Sequence, residues 1–134
     1  MKGFYLDTSA ALKLLVTENA SEQLSSWLAE SRSPLMSSSL LVTELVRAAR
    51  QGGDGAVLAA RSLLNTVYLH DVAGPVLELA AHLTPTALRS LDAIHLATAL
   101  QYLHFLGGMV TYDQRLAAAC RDHGVPVVSP GVDL

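Results

Sequence analysis

Cysteine is all but absent from this 134-residue chain, where Cys120 stands alone. A single thiol excludes an intrachain disulfide and a cysteine-built zinc site, and it predicts a reducing, cytoplasmic setting. Long apolar runs are missing too, although the mean hydropathy is positive. Ala10-Ala11-Leu12 and Leu14-Leu15-Val16 are cut by Lys13, Thr17 and Glu18, well short of the ~18 residues of a membrane span. At the amino end Asp7 arrives too early for the apolar core of a signal peptide. Charge is scarce, at 16% of residues against 51% hydrophobic, which excludes a disordered chain. Nor is there an excess of positive charge. The net −3 argues against a generic nucleic-acid binder with a strongly basic face. The length fits one domain spanning residues 1–134.

What is there alternates. Residues 3–7 form a short apolar strand ending in an acid, and residues 34–37, 67–70, 109–111 and 125–128 are further predicted strands. Between them helices are predicted over 8–16, 20–31, 39–50, 56–65, 75–83, 90–105 and 114–123. Gly107-Gly108 is taken as the stop of the longest helix, and Pro75 as a first-turn residue. Gly52-Gly53-Asp54-Gly55 follows a helix rather than a strand, so it is a loop and not a phosphate cradle. Strands alternating with helices predict an α/β fold, a three-layer α/β/α sandwich around a parallel sheet of about five strands. In such sheets ligands bind beyond the carboxyl ends of the strands, at the switch point of strand order.

Four acids stand in apolar surroundings near those ends. Asp7 closes the first strand, Glu44 lies in the third predicted helix, Asp92 opens the longest helix, and Asp113 follows the fourth strand. Each has a plain structural alternative. Asp7 and Asp113 can cap the helices behind them, and Asp92 can complement a helix dipole behind Ser90 as N-cap. Glu44, between Val42-Thr43 and Leu45-Val46, has no cap to serve. Four separate caps need not converge, whereas clustered carboxylates call for a cation. Oxygen ligands without cysteine or paired histidines suit Mg²⁺, or Mn²⁺ in its place, rather than Zn²⁺. With these four acids set aside as one site, the rest of the chain carries +1. Its seven arginines and two lysines favour the planar fork that suits phosphate.

The segments Leu-Asp-Thr-Ser-Ala (6–10), Val-Thr-Glu-Leu-Val-Arg-Ala (42–48), Leu-Asp-Ala-Ile-His-Leu-Ala-Thr-Ala (91–99) and Val-Thr-Tyr-Asp-Gln-Arg-Leu (110–116) resemble those of the PIN-domain family. The resemblance is strongest to its VapC-type toxins, and it covers essentially the whole chain. It implies a Mg²⁺-dependent endoribonuclease, commonly a homodimer, silenced by a cognate VapB-type antitoxin. It assigns the acidic roles to Asp7, Glu44, Asp92 and Asp113 and the supporting hydroxyls to Ser9 and Thr111. Leu116 stands where some relatives carry a further acid, which leaves a second metal position open. Carboxylate-held Mg²⁺ can orient and acidify a water for in-line attack on a phosphodiester. Asp7 and Asp113 are the chosen direct ligands, with Asp92 as ligand or water-positioning group and Glu44 as water holder or base.

Other side chains are weighed against simpler roles. His95, three residues after Asp92, is either a ligand or a packed residue bonding a backbone carbonyl. Arg89 is a candidate phosphate contact at the rim, with Lys13, Arg47 and Arg115 as weaker ones, and the alternative is a solvated charge. The Leu24–Trp27–Leu28 stripe is either core or a groove for an antitoxin helix. Among rival functions, a receiver domain wants a lysine near the last strand, yet Lys2 and Lys13 both lie at the amino end. An aspartyl phosphatase prefers a second acid where Ser9 stands. A non-catalytic binding module is the remaining alternative. No base-reading motif names the RNA.

Overall fold

The computed structural model describes residues 2–134. Five strands, Gly3–Leu6 (β1), Leu35–Ser38 (β2), Val67–His70 (β3), Leu106–Val110 (β4) and Val127–Val128 (β5), form one sheet in the order β3-β2-β1-β4-β5. Every pairing is parallel. The helices are Thr8–Leu15 (α1), Ser21–Ser31 (α2), Leu40–Ala49 (α3), Asp54–Leu64 (α4), Gly74–His82 (α5), Ser90–Gln101 (α6) and Gln114–Asp122 (α7). The predicted three-layer α/β/α sandwich is what the chain forms. None of the described helices is long and apolar enough to cross a membrane.

Successive strand residues point to opposite faces, and the two cores follow from that alternation. Leu6 and Val110 join Ala10, Leu24, Leu41, Leu45 and Ala60 on the face covered by α1 to α4. Tyr5 and Met109 join Leu96, Ala99, Leu116 and Cys120 on the face covered by α6 and α7. Covering both faces is what an all-parallel sheet requires. The Leu24–Trp27–Leu28 stripe belongs to the first core. Leu24 is fully buried, and Trp27 meets Phe4 edge to face at 4.7 Å. The stripe is packing rather than an open groove.

The longest helix is shorter than predicted. It ends at Gln101, a 3-10 turn covers Leu103–Phe105, and Gly107-Gly108 lie inside β4. Glycine here answers to close approach, not to a helix stop. A Cβ on Gly107 would sit 2.6 Å from the Phe4 ring, and one on Gly108 would sit 2.8 Å from the Pro126 carbonyl oxygen. Ser90 is not the cap of α6 either. Arg89 holds that position with extended backbone, and no side chain caps the helix.

Strand order reverses at the centre. From β1 the chain steps outward through β2 to β3, then returns to place β4 on the other side of β1. The crevice beyond the carboxyl ends of β1 and β4 is therefore the switch point. Leu6 pairs with Val110 there, so Asp7 and Thr111 emerge side by side.

Candidate active site

Asp7 leaves β1 and caps α1, its Oδ1 accepting from the Ala10 amide at 2.9 Å. The Ser9 hydroxyl donates to both carboxylate oxygens, at 2.8 and 2.9 Å, and the Thr111 hydroxyl donates to Oδ2 at 2.6 Å. The carboxylate is only 3% exposed. Burial pushes its pKa up to about 6, against the downward pull of the bonds from Thr111, Ala10 and Ser9. The same hydroxyls accept in turn, Ser9 from the Tyr112 amide and Thr111 from the Asp113 amide. Asp7 is thus tied through two hydroxyls to the loop that carries Asp113.

Asp113 caps α7, its Oδ1 accepting from the amides of Arg115 and Leu116 at 2.9 and 3.0 Å. Its Oδ2 faces outward to the Arg89 guanidinium at 3.0 Å. Arg89 also donates to Oδ2 of Asp92, one turn into α6, at 3.0 Å. One guanidinium therefore bridges two carboxylates while its own side chain stays 67% exposed. Burial pushes the Asp92 carboxyl up, the Arg89 bond and charge pull it down, and the charge of Asp113 adds to the rise.

Glu44 sits on α3, in the opposite helical layer from Asp92. Its Oε1 accepts from the Thr8 hydroxyl at 2.9 Å and from His95 Nε2 at 2.6 Å. His95, 1% exposed on α6, bonds the Tyr5 hydroxyl through Nδ1 at 2.7 Å. Burial acts to raise the Glu44 carboxyl, but the His95 bond and charge, Thr8 and Arg89 outweigh it and leave it below its ordinary value. His95 is packed as expected, yet its partners are Glu44 and Tyr5 rather than a backbone carbonyl. Nothing local in the sequence announces Tyr5 or Thr8 as partners of that site. The only signal is a polar ring and a hydroxyl at positions that the alternation buries.

Asp7 and Asp113 each cap the helix that follows, as their plain structural alternative expects, and Arg89 links Asp113 to Asp92. Among the described residues no three acidic, histidine or cysteine side chains surround one point as they stand. The donor chemistry nonetheless fits a hard divalent cation. Asp92 and Asp113 already share one cationic partner, and that partner is an exposed, removable side chain. Of the rim cations, Arg115 is exposed on α7 and forms no ion pair among the described residues. Arg47 is exposed on α3. Lys13 is engaged elsewhere, reaching the Asn19 carbonyl at 2.8 Å and Glu18 at 3.3 Å, with its ammonium over the Tyr112 ring. It is held under the loop instead of being presented at the rim.

The sequence pattern of the PIN domain matches residues 4–122. Ribonuclease VapC47 of Mycobacterium tuberculosis is 42% identical over 131 residues, covering 95% of this chain and 96% of that protein. Ribonuclease VapC46 of the same organism is 42% identical over 130 residues, covering 97% and 99%. Among solved structures, the chain is similar to M. tuberculosis VapC20, a sarcin-ricin loop cleaving toxin, with a TM-score of 0.76 at 20% identity, covering 96% of this chain and all of that one. A toxin–antitoxin complex from Klebsiella pneumoniae gives a TM-score of 0.68 at 24% identity, covering 96% and 98%. The fold, the four ordered acidic segments and these near-full-length likenesses together mean that the chain belongs to the PIN-domain family, among its VapC ribonucleases.

Proposed function

We propose that this chain hydrolyses RNA phosphodiester bonds with a divalent ion, Mg²⁺ or Mn²⁺, held by Asp7, Asp92 and Asp113. The observation that carries the reading is the exposed arginine that Asp92 and Asp113 share, beside the strand end where Ser9 and Thr111 hold Asp7. When bound, the ion supplies charge stabilisation for the phosphodiester and acidifies a water. The chain's own residues do the rest. Ser9 and Thr111 hold Asp7 in one orientation. Glu44 has both its donors on Oε1, so Oε2 is the acceptor that orients the attacking water and takes its proton. Arg89, once released from the carboxylates, meets a substrate phosphate together with Arg115. By the same reading the protein is a cytoplasmic toxin that pairs with a second copy of itself and with a VapB-type antitoxin, and residues 1–134 are one nuclease unit.

Incubation of single-stranded or loop RNA with Mg²⁺ or Mn²⁺ tests this. Cleavage with 5′-phosphate and 3′-hydroxyl ends is the expected result, because water and not the RNA 2′-hydroxyl is the nucleophile. Full-rate cleavage in EDTA, or 2′,3′-cyclic ends, overturns it.

A further inference from the structure

Glu44 is held by a hydrogen-bonded line that crosses the carboxyl edge of the sheet from one helical layer to the other. Tyr5, one residue before the end of β1, is wholly buried. His95 lies between that hydroxyl and Glu44, at 2.7 and 2.6 Å. An ionised carboxylate only accepts, so Nε2 of His95 carries a hydrogen and donates it to Oε1. On the other side of the ring Nδ1 meets the Tyr5 hydroxyl. Thr8 donates to the same Oε1 from the first turn of α1 at 2.9 Å. A glutamate on a helix has three rotatable bonds, and this one is fixed from two sides at a single oxygen.

We infer that Tyr5 and His95 are positioning residues that lock Glu44 with Oε2 presented to the attacking water. Neither touches substrate; they act through Glu44. The pair is well suited to the task. The Tyr5 and His95 side chains are both in the core, so their own rotamers are set by packing, and each bond in the line polarises the next toward Glu44. The inference rests on the role assigned to Glu44 above.

The test uses the full chain, a single-stranded RNA oligonucleotide and Mg²⁺. His95→Leu keeps the bulk and removes the bonds, and kcat is expected to fall about 10–100-fold with KM changed less than about threefold. His95→Gln, whose amide restores a donor near the Nε2 position, recovers most of the loss. Tyr5→Phe removes only the hydroxyl and lowers kcat severalfold. In a Glu44→Gln background, His95→Leu adds nothing further, since its effect runs through the carboxylate. In the metal-free protein, ¹⁵N shifts of the His95 ring report Nε2 as protonated. If Glu44→Gln is impaired while His95→Leu and Tyr5→Phe keep wild-type kcat, the positioning role falls and the role of Glu44 stands. If Glu44→Gln itself keeps wild-type kcat, the role of Glu44 falls and the inference with it. An unprotonated Nε2 overturns the inference directly.

Discussion

Asp7 and Asp113 follow paired strands, and each caps the helix that comes next. Locally they are twins, yet one is enclosed and the other reachable. Asp7 takes every bond from inside the fold, from one amide and two hydroxyls. Asp113 gives one oxygen to its cap and turns the other outward, where it meets Arg89. The difference comes from their neighbours. Asp7 leaves the central strand between β2 and β4, while Asp113 leaves the strand next toward the edge. A strand–Asp–helix instruction thus places a carboxylate, and the sheet position decides whether it is enclosed or reachable from outside.

The largest effects should be on cleavage. Asp7→Asn and Asp92→Asn are each expected to abolish it, a loss of at least about 100-fold. Residual activity near wild type in either would remove that acid from the site.

The pH dependence of stability separates the twins next. Metal-free, Asp7 has its carboxyl raised from an ordinary 3.8 to about 6. Between those values the folded state holds a proton that the unfolded state has released, so stability is greatest below the lower one and is lost as pH rises through the higher. The loss is on the order of 3 kcal/mol. Asp7→Asn should erase this slope and Asp113→Asn should leave it. Glu44, lowered instead, acts in the opposite sense, its contribution vanishing as pH falls through its folded value. Denaturant melts from pH 3.5 to 7 on wild type and both variants check the assignment.

Metal addition should raise stability by about 2.7 kcal/mol at ~100 times the dissociation constant, a melting shift on the order of 10 °C for a chain of this size. Asp92→Asn removes a carboxylate whose charged form burial disfavours. It should melt higher than wild type in EDTA and gain less from Mg²⁺. A variant that melts lower in EDTA, beside a wild type indifferent to Mg²⁺, would make Asp92 structural.

Stability at neutral pH sharpens the comparison further. Asp7→Asn sheds a buried charge, a gain on the order of 3 kcal/mol, and sets an amide NH₂ among hydroxyls that donate, at a cost of about 1–3 kcal/mol. It should therefore melt no lower than wild type, whereas Asp113→Asn keeps a good cap and should stay within about 0.5 kcal/mol. A loss of several kcal/mol in Asp7→Asn would mean that its buried charge is not a cost. The smallest expected change is at Arg89, whose exposed ion pairs add little. Arg89→Gln should barely move the metal-free melt, tighten Mg²⁺ binding by removing a competing cation, and raise KM for RNA severalfold. Unchanged Mg²⁺ affinity and KM would make it a bystander.

The acids were legible in the sequence because each is a charge among apolar neighbours, Asp7 and Asp113 just past a strand and Glu44 and Asp92 inside a helix, a pattern visible within ten residues. Their partners were not. Tyr5 and His95 are separated by 90 positions, and neither stands out among the aromatic and histidine residues that cores ordinarily hold. Gly107-Gly108 misled for a related reason. Locally a glycine pair after a helical run signals a stop, but what fixes these two is the Phe4 ring and the Pro126 carbonyl, both distant in sequence or strand. Lys13 was legible as a cation near Asp7, and its capture by Glu18, Asn19 and Tyr112 depends on a turn that the composition does not display.

The enclosure of Asp7 has a consequence in time. The Thr111 hydroxyl that holds it lies 104 positions along the chain, and the Tyr112 amide that fixes Ser9 lies 103 positions from its partner. At synthesis rates of about 5–20 residues per second, the first strand waits roughly 5–20 seconds before its carboxylate can be held. Until β4 docks against β1, no fragment presents the assembled centre. On the proposed site, then, the activity is armed only when β4, made some hundred residues later, is laid beside β1.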